Sequence, residues 1–150
     1  ASGTTMETEP QRFILQDPRF QWQRIQGNQA TIFYYGGAQN LAEKVLRDAE
    51  TTLDRMGTLM GVDIQDQLHL TLYNHFQDMR DALPPRSQVQ ENTLIVEGIS
   101  FGDTGVILVL GRGSRVGGVT SHEVVHFLMQ QAMGGLSGLC DGIGRVEQAV

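Results

Sequence analysis

Two runs of alternating hydrophobic and polar residues near the start of the chain predict a β-hairpin. They cover residues 20–25 and 32–35, and Gly27 and Asn28 form a turn signal between them. Alternation places every second side chain on one face of a strand, and a glycine-containing turn between two such runs is typical of a hairpin. The apolar positions of the first run are Phe20, Trp22 and Ile25.

The apolar residues of segment 38–60 repeat with helical spacing. They fall three or four positions apart with charged residues between them, as on an amphipathic helix. Gly61 follows, and glycine commonly ends a helix because it adopts the left-handed conformation. We therefore predict a helix over residues 38–60 that buries Leu41, Val45, Leu46, Ala49, Leu53, Met56 and Met60.

Three more apolar runs predict strands after residue 67. Leucines alternate with other residues over positions 68–73, which predicts a strand, and a short helix over 76–83 should end at the two prolines that follow. Residues 94–101 and 105–110 predict a second hairpin, with its turn at 102–104.

A glycine-rich segment at residues 111–118 precedes the last predicted helix. It lacks the lysine and the spacing of a phosphate-binding loop, so we interpret it as a flexible hinge. The helix should begin at Ser114 or Val116 and run to Met133, where Gly134 and its neighbouring glycine would end it. The mixture of predicted strands and helices indicates an α+β fold.

Length and charge narrow the class of protein. A chain of 150 residues suits one domain, so we expect a flexible leader over residues 1–18 and a single domain over 19–150. The net charge of −6, with the basic residues scattered, argues against a nucleic-acid partner. No apolar run approaches the roughly 20 residues that cross a bilayer. The single cysteine, Cys140, excludes an internal disulfide.

One motif points directly to a chemistry. His122, Glu123 and His126 form the pattern HExxH. On a helix, residues four apart differ by about 40° in direction, so both imidazoles can reach one ion, and Zn²⁺ is the metal that this motif predicts. Glu123 points about 100° away and cannot share the ligand position. It could instead act as general base towards a water whose pKa the metal lowers to about 7.

A catalytic zinc site needs a third protein ligand. Downstream of the motif the chain offers two carboxylates, Asp141 and Glu147, and chemistry alone leaves both open. Cys140 is a further zinc-binding group by chemistry, but adjacent helical residues diverge by about 100°, so Cys140 and Asp141 should not ligate together. We expect Cys140 to be a buried bystander.

The motif and its surroundings resemble the gluzincin metallopeptidases, in particular the bacterial peptidase MA-like family. In that family HExxH is followed by a Trp-Leu-x-Glu-Gly-x-Ala segment, and residues 138–144 of this chain, Gly-Leu-Cys-Asp-Gly-Ile-Gly, are similar to it. The resemblance implies a zincin-like fold, a zinc cofactor and a peptide or protein substrate. It places Asp141 where the family has its glutamate ligand, and it therefore favours Asp141 over Glu147. This segment departs from the pattern in lacking the tryptophan and in having the shorter carboxylate.

The resemblance also implies features of substrate binding, location and chain length. Strand 105–110 should lie at a sheet edge and pair with an extended substrate. Arg145 is the one residue after Asp141 that could stabilise an oxyanion, although the family pattern gives it no support. Many relatives work outside the cytoplasm, which implies an extracytoplasmic or secreted location. The chain ends where the family has the lower half of its cleft, so we expect either a fragment of a longer enzyme or a minimal relative.

Three hypotheses follow from the sequence. The first is a zinc-dependent peptidase with His122, His126 and Asp141 as ligands and Glu123 as general base. The second is a catalytically impaired zincin-like binding module, motivated by the altered third-ligand segment. The third is an unrelated α+β interaction domain in which HExxH is accidental.

Overall fold

Five strands form one mixed sheet in the computed structural model, which describes residues 17–64, 67–83, 97–102 and 104–140. The sheet order is β1-β2-β3-β5-β4. The outer pairs β1–β2 and β4–β5 are antiparallel, whereas β3 pairs in parallel with both β2 and β5. The strands are β1 (Gln23–Gln26), β2 (Ala30–Tyr34), β3 (Leu68–Tyr73), β4 (Gly98–Phe101) and β5 (Val106–Leu110).

The helices are α1 (Gln39–Met60), the short α2 (Phe76–Asp81) and α3 (Val116–Cys140), which a 3-10 turn at Gly113–Arg115 precedes. The described residues therefore have the predicted mixed α+β architecture, with both predicted hairpins and a long amphipathic helix. Gly61 ends α1 in the left-handed conformation, at φ 66°. That glycine performs the capping role that its position in the sequence predicts.

The two long helices pack on one face of the sheet. Successive strand residues point to opposite faces, so Ile32, Leu70 and Ile107 belong to the face that the helices cover. The helices contribute their buried stripes to this core: Ala42, Val45, Ala49 and Leu53 from α1, and Val116, Val124, Phe127 and Leu128 from α3. The HExxH helix is thus fixed along its inner side by aliphatic packing.

The opposite face of the sheet carries a smaller, more aromatic cluster. Tyr35 stacks on Phe20 with 4.1 Å between ring centroids, and Trp22 meets Tyr35 edge to face at 5.1 Å. The Tyr35 hydroxyl donates a hydrogen bond to Asp78 of α2 over 2.7 Å. Burial and this carboxylate raise the pKa of Tyr35 to about 12. These aromatic residues thus pack together in a second hydrophobic core.

Two sequence predictions about element placement are wrong. Strand 105–110 is not an edge strand: β5 lies between β3 and β4, and β4 occupies the edge. Four of the five β5 residues are buried, and such an apolar run is typical of a strand flanked on both sides.

The end of the last helix is the second error. We expected α3 to end at Gly134, but it continues to Cys140. A glycine in a helix interior costs about 1 kcal/mol relative to alanine, which lowers helix stability without ending the helix. The predicted start at Val116 is confirmed.

Some predictions concern residues outside the described ranges. Strand 94–101 is seen from Gly98 onward, and residues 94–96 lie outside the described residues, as does Asp103 of the predicted turn. Residues 1–16 of the predicted leader, the two prolines after α2 and segment 141–150 also lie outside them.

Candidate functional site

His122 and His126 project from α3 as a pair. Their Nε2 atoms are 2.9 Å apart, and their rings meet at 82° with centroids separated by 4.5 Å. Both side chains are exposed. A tetrahedral zinc with Zn–N distances of about 2.0–2.1 Å requires its ligand nitrogens to be about 3.3 Å apart. The pair is therefore within about half an ångström of ligand spacing, and the chemistry of two imidazoles suits zinc.

Glu123 differs from the two histidines because it is buried, with 9% of its surface exposed. Burial raises the pKa of its carboxyl group, and the nearby His122 and His126 partly offset that effect. A carboxyl group in such surroundings holds a proton more readily than one in water. That property is what a group that accepts and returns a proton needs.

Gly98 of β4 creates the space that Glu123 occupies. A Cβ atom built on Gly98 would lie 2.7 Å from Cγ of Glu123 and 2.7 Å from Cγ1 of Val119. Both distances are far below van der Waals contact, so no larger residue fits without displacing the carboxylate side chain. A glycine inside a strand often marks such a close approach. Glu123 is thus positioned between α3 and the edge strand.

An open cleft of about 1170 Å³ has His122 and Glu123 in its lining. Glu97 and Gly98 contribute one side, the first two turns of α3 contribute another, and the segment after β5 contributes the rest. Among the described residues, β5 is the one strand that pairs with β4, and no described strand pairs with its outer edge. The lining residues are Glu97, Gly98, Arg112, Gly113, Ser114, Arg115, Gly118, Val119, His122 and Glu123.

Charged side chains of both signs line one end of the cleft. Nη2 of Arg115 lies 3.0 Å from Oε1 of Glu97 and forms an ion pair across it. Arg112 is exposed in the turn that leads to α3. No sequence pattern identifies these three residues or Gly98 as part of a site. The glycine inside the predicted strand 94–101 is the one available signal, whereas the arginines become meaningful only when the fold places them beside HExxH.

The candidates for a third zinc ligand lie outside the described side chains. No group of three His, Cys, Asp or Glu side chains that could hold a metal occurs within residues 17–64, 67–83, 97–102 and 104–133. Asp141, Glu147 and Arg145 lie outside the described part of the chain, and of Cys140 only its place at the end of α3 is described. The choice of Asp141 over Glu147 therefore stays a prediction. The structure brings together His122, His126 and Glu123.

The comparisons with known proteins add no relative. No protein-family model, curated protein or solved structure matches this chain. The gluzincin resemblance therefore rests on the motif and the segment pattern that the sequence itself provides. Across the part of the chain that the structure describes, none of the helices has the length and apolarity to span a membrane.

Proposed function

We propose that this chain is a zinc-dependent peptidase of the gluzincin type. The observation that carries the proposal is the buried carboxyl group of Glu123 beside the converging Nε2 atoms of His122 and His126, with Glu123 and His122 in the lining of an open cleft. Three properties that peptide hydrolysis needs occur there together: nitrogen ligands, a proton acceptor and room for an extended chain. An accidental HExxH on a solvated helix would have no reason to combine them.

The zinc ligands in this proposal are His122, His126 and Asp141, with Glu147 as the rival for the third position. When bound, Zn²⁺ would polarise the substrate carbonyl and make a water molecule more acidic. Glu123 would take the proton of the attacking water on its carboxylate and deliver it to the nitrogen of the leaving amine. Its burial keeps this carboxyl group away from bulk water while it holds the proton.

The edge of β4 would position the substrate. Its outer backbone N–H and C=O groups can pair with an extended peptide as an added strand. The substrate backbone would then run beside Gly98, where the missing side chain leaves Glu123 close to the edge. This assigns to β4 the role that the sequence analysis gave to residues 105–110.

The zinc content of the purified full-length chain tests the ligand set. Elemental analysis should find one zinc per chain, and His126→Ala and Asp141→Ala should each lose it. His75→Ala is the matched control, because His75 precedes α2 and does not line the cleft. If Asp141→Ala keeps zinc and Glu147→Ala loses it, the third ligand is Glu147. No zinc in the intact chain, even after incubation with it, would refute the peptidase proposal.

Peptide cleavage by Glu123→Gln tests the catalytic role separately. The variant retains the shape of the side chain but cannot accept a proton, so it should bind zinc normally and cleave about 100- to 10,000-fold more slowly. Unchanged cleavage would eliminate Glu123 as the base. Zinc-bound protein that binds peptides and cleaves none would instead favour the zincin-like binding module.

A further inference from the structure

β4 and α3 lie side by side and run in the same direction, so the two ends of a peptide bound along β4 would have different surroundings. Gly98, the first residue of β4, contacts Glu123, whereas Gly102, just after β4, lies against Gln130. Nε2 of Gln131 donates a hydrogen bond to the backbone oxygen of Gly102 over 2.7 Å. A peptide along β4 would therefore pass the start of α3 at one end and its middle at the other.

Among the described residues, the charge differs between the two sides of the HExxH motif. The cleft lining near the start of α3 includes Arg112, Arg115 and Glu97. Beyond His126, the exposed residues of α3 that the structure describes are uncharged: Met129, Gln130, Gln131 and Met133. The described positive charge of this surface thus lies on one side of the motif.

Arg112 carries the unbalanced charge at that end. Arg115 is paired with Glu97, which compensates its charge. Arg112 is exposed and forms no ion pair with any residue of the described ranges. A guanidinium group presents two parallel N–H donors that match a carboxylate. An anionic group on a bound peptide would therefore be a suitable partner for Arg112.

We propose that Arg112 selects substrates with a carboxylate on one side of the scissile bond, the side that faces the start of α3. This inference rests on the proposed peptide-binding role of the cleft. Arg112 lines the same cleft as His122 and Glu123. An extended peptide advances about 3.3 Å per residue, so the carboxylate should lie within a few residues of the cleaved bond.

Two kinds of carboxylate could meet this requirement, an acidic side chain and the free C-terminus of a short peptide. Cleavage of matched peptides distinguishes the two kinds of carboxylate. One set of peptides has Glu or Gln at each position near the cleaved bond, and a second set has a free or an amidated C-terminus. The wild type should cleave the preferred carboxylate peptides about three- to fivefold faster than their neutral partners, on one side only. The preference should decline as salt increases from about 0.05 M to about 0.5 M.

The variants test whether Arg112 is the cause. Arg112→Gln should remove the preference and leave cleavage of the neutral peptides within about twofold of wild type. Arg112→Lys retains the positive charge and should therefore show part of the wild-type preference. Arg47→Gln on the exposed side of α1 removes one positive charge that is not part of the cleft lining and should keep the full preference. A preference that survives Arg112→Gln, or equal cleavage of all pairs by the wild type, would overturn the inference.

Peptide binding gives an independent readout. Fluorescently labelled forms of the same peptides are mixed with full-length Glu123→Gln or with Glu123→Gln/Arg112→Gln, and fluorescence anisotropy measures their affinity. The first protein should bind the carboxylate peptides about three- to fivefold more tightly, and the second should bind both kinds equally. If the wild type cleaves nothing but this difference is present, the peptidase proposal fails and the inference about Arg112 stands. Equal affinities in the first protein, or no binding of any peptide, would contradict the inference.

Discussion

α1 and α3 pack on the same face of the sheet, but their exposed surfaces differ. α1 has seven charged residues among its 22, three of them exposed and the other four half-buried. α3 has one charged residue among its 25, Glu123, and that residue is buried. The exposed positions of α3 that the structure describes are occupied by the two histidines of the motif, by methionines, by glutamines and by one glycine.

This contrast separates a structural helix from a helix with a surface available for chemistry. Both helices bury an aliphatic stripe, which fixes them to the sheet. Alternating charges on α1 favour contact with water, and its ion pairs, such as Lys44–Asp48, are local. α3 instead exposes imidazole nitrogens and uncharged side chains beside a cleft. The described exposed surface of α3 is therefore uncharged, whereas that of α1 is charged.

The largest expected effects concern the buried stripes, where the two helices should behave alike. Leu53 of α1 and Leu128 of α3 are at most 2% exposed. Leu53→Ala and Leu128→Ala should each lower the free energy of unfolding by about 2–5 kcal/mol, because each leaves a cavity in the core. Urea denaturation followed by circular dichroism measures this.

Met133→Ala is the control on the outer side of α3, where 58% of the methionine is exposed. Its effect should stay within about 0.5 kcal/mol. A destabilisation as large as that of Leu128→Ala would show that the outer side of α3 is packed in solution, and the contrast between the helices would then be false.

The next effect concerns the position of Glu123. Gly98→Ala would place a methyl group 2.7 Å from Cγ of Glu123 and should displace its carboxylate. A displacement of about 1 Å at a reacting group can reduce the rate about 100-fold, and we expect a loss of this order in kcat/KM with unchanged zinc content. Gly37→Ala is the matched control, since no atom lies within 4 Å of its added Cβ. Full activity of Gly98→Ala would remove Gly98 from the site.

The smallest effect concerns the polar contact between the two helices. The hydroxyl oxygens of Thr52 on α1 and Ser121 on α3 are 2.9 Å apart, next to the motif but on the side that faces α1. Ser121→Ala removes this hydrogen bond and should destabilise the fold by about 0.5 to 1 kcal/mol, without loss of zinc. The exposed Thr51→Ala should change stability by less than about 0.5 kcal/mol. Loss of zinc in Ser121→Ala would indicate that the α1–α3 contact positions the histidines.

The elements that sequence predicted well are those whose pattern is local. The seven apolar positions of α1 repeat at helical spacing and Gly61 follows them, so α1 needed no tertiary information. The spacing of His122 and His126 likewise predicts that the two rings converge, and in the structure their Nε2 atoms are 2.9 Å apart. The end of α3 failed because glycine is compatible with both a helix interior and a cap, and distant packing decides between them.

The chemistry of HExxH, the two hairpins and the long amphipathic helix are determined by the sequence, because each depends on residues close together along the chain. Only the tertiary structure decided that β4 rather than β5 forms the sheet edge. It also decided that Gly98 admits the carboxylate of Glu123, and that Arg112 lies in the same cleft as the motif. Strand order and the burial of a charged group depend on contacts between residues distant in the chain, which periodicity does not encode.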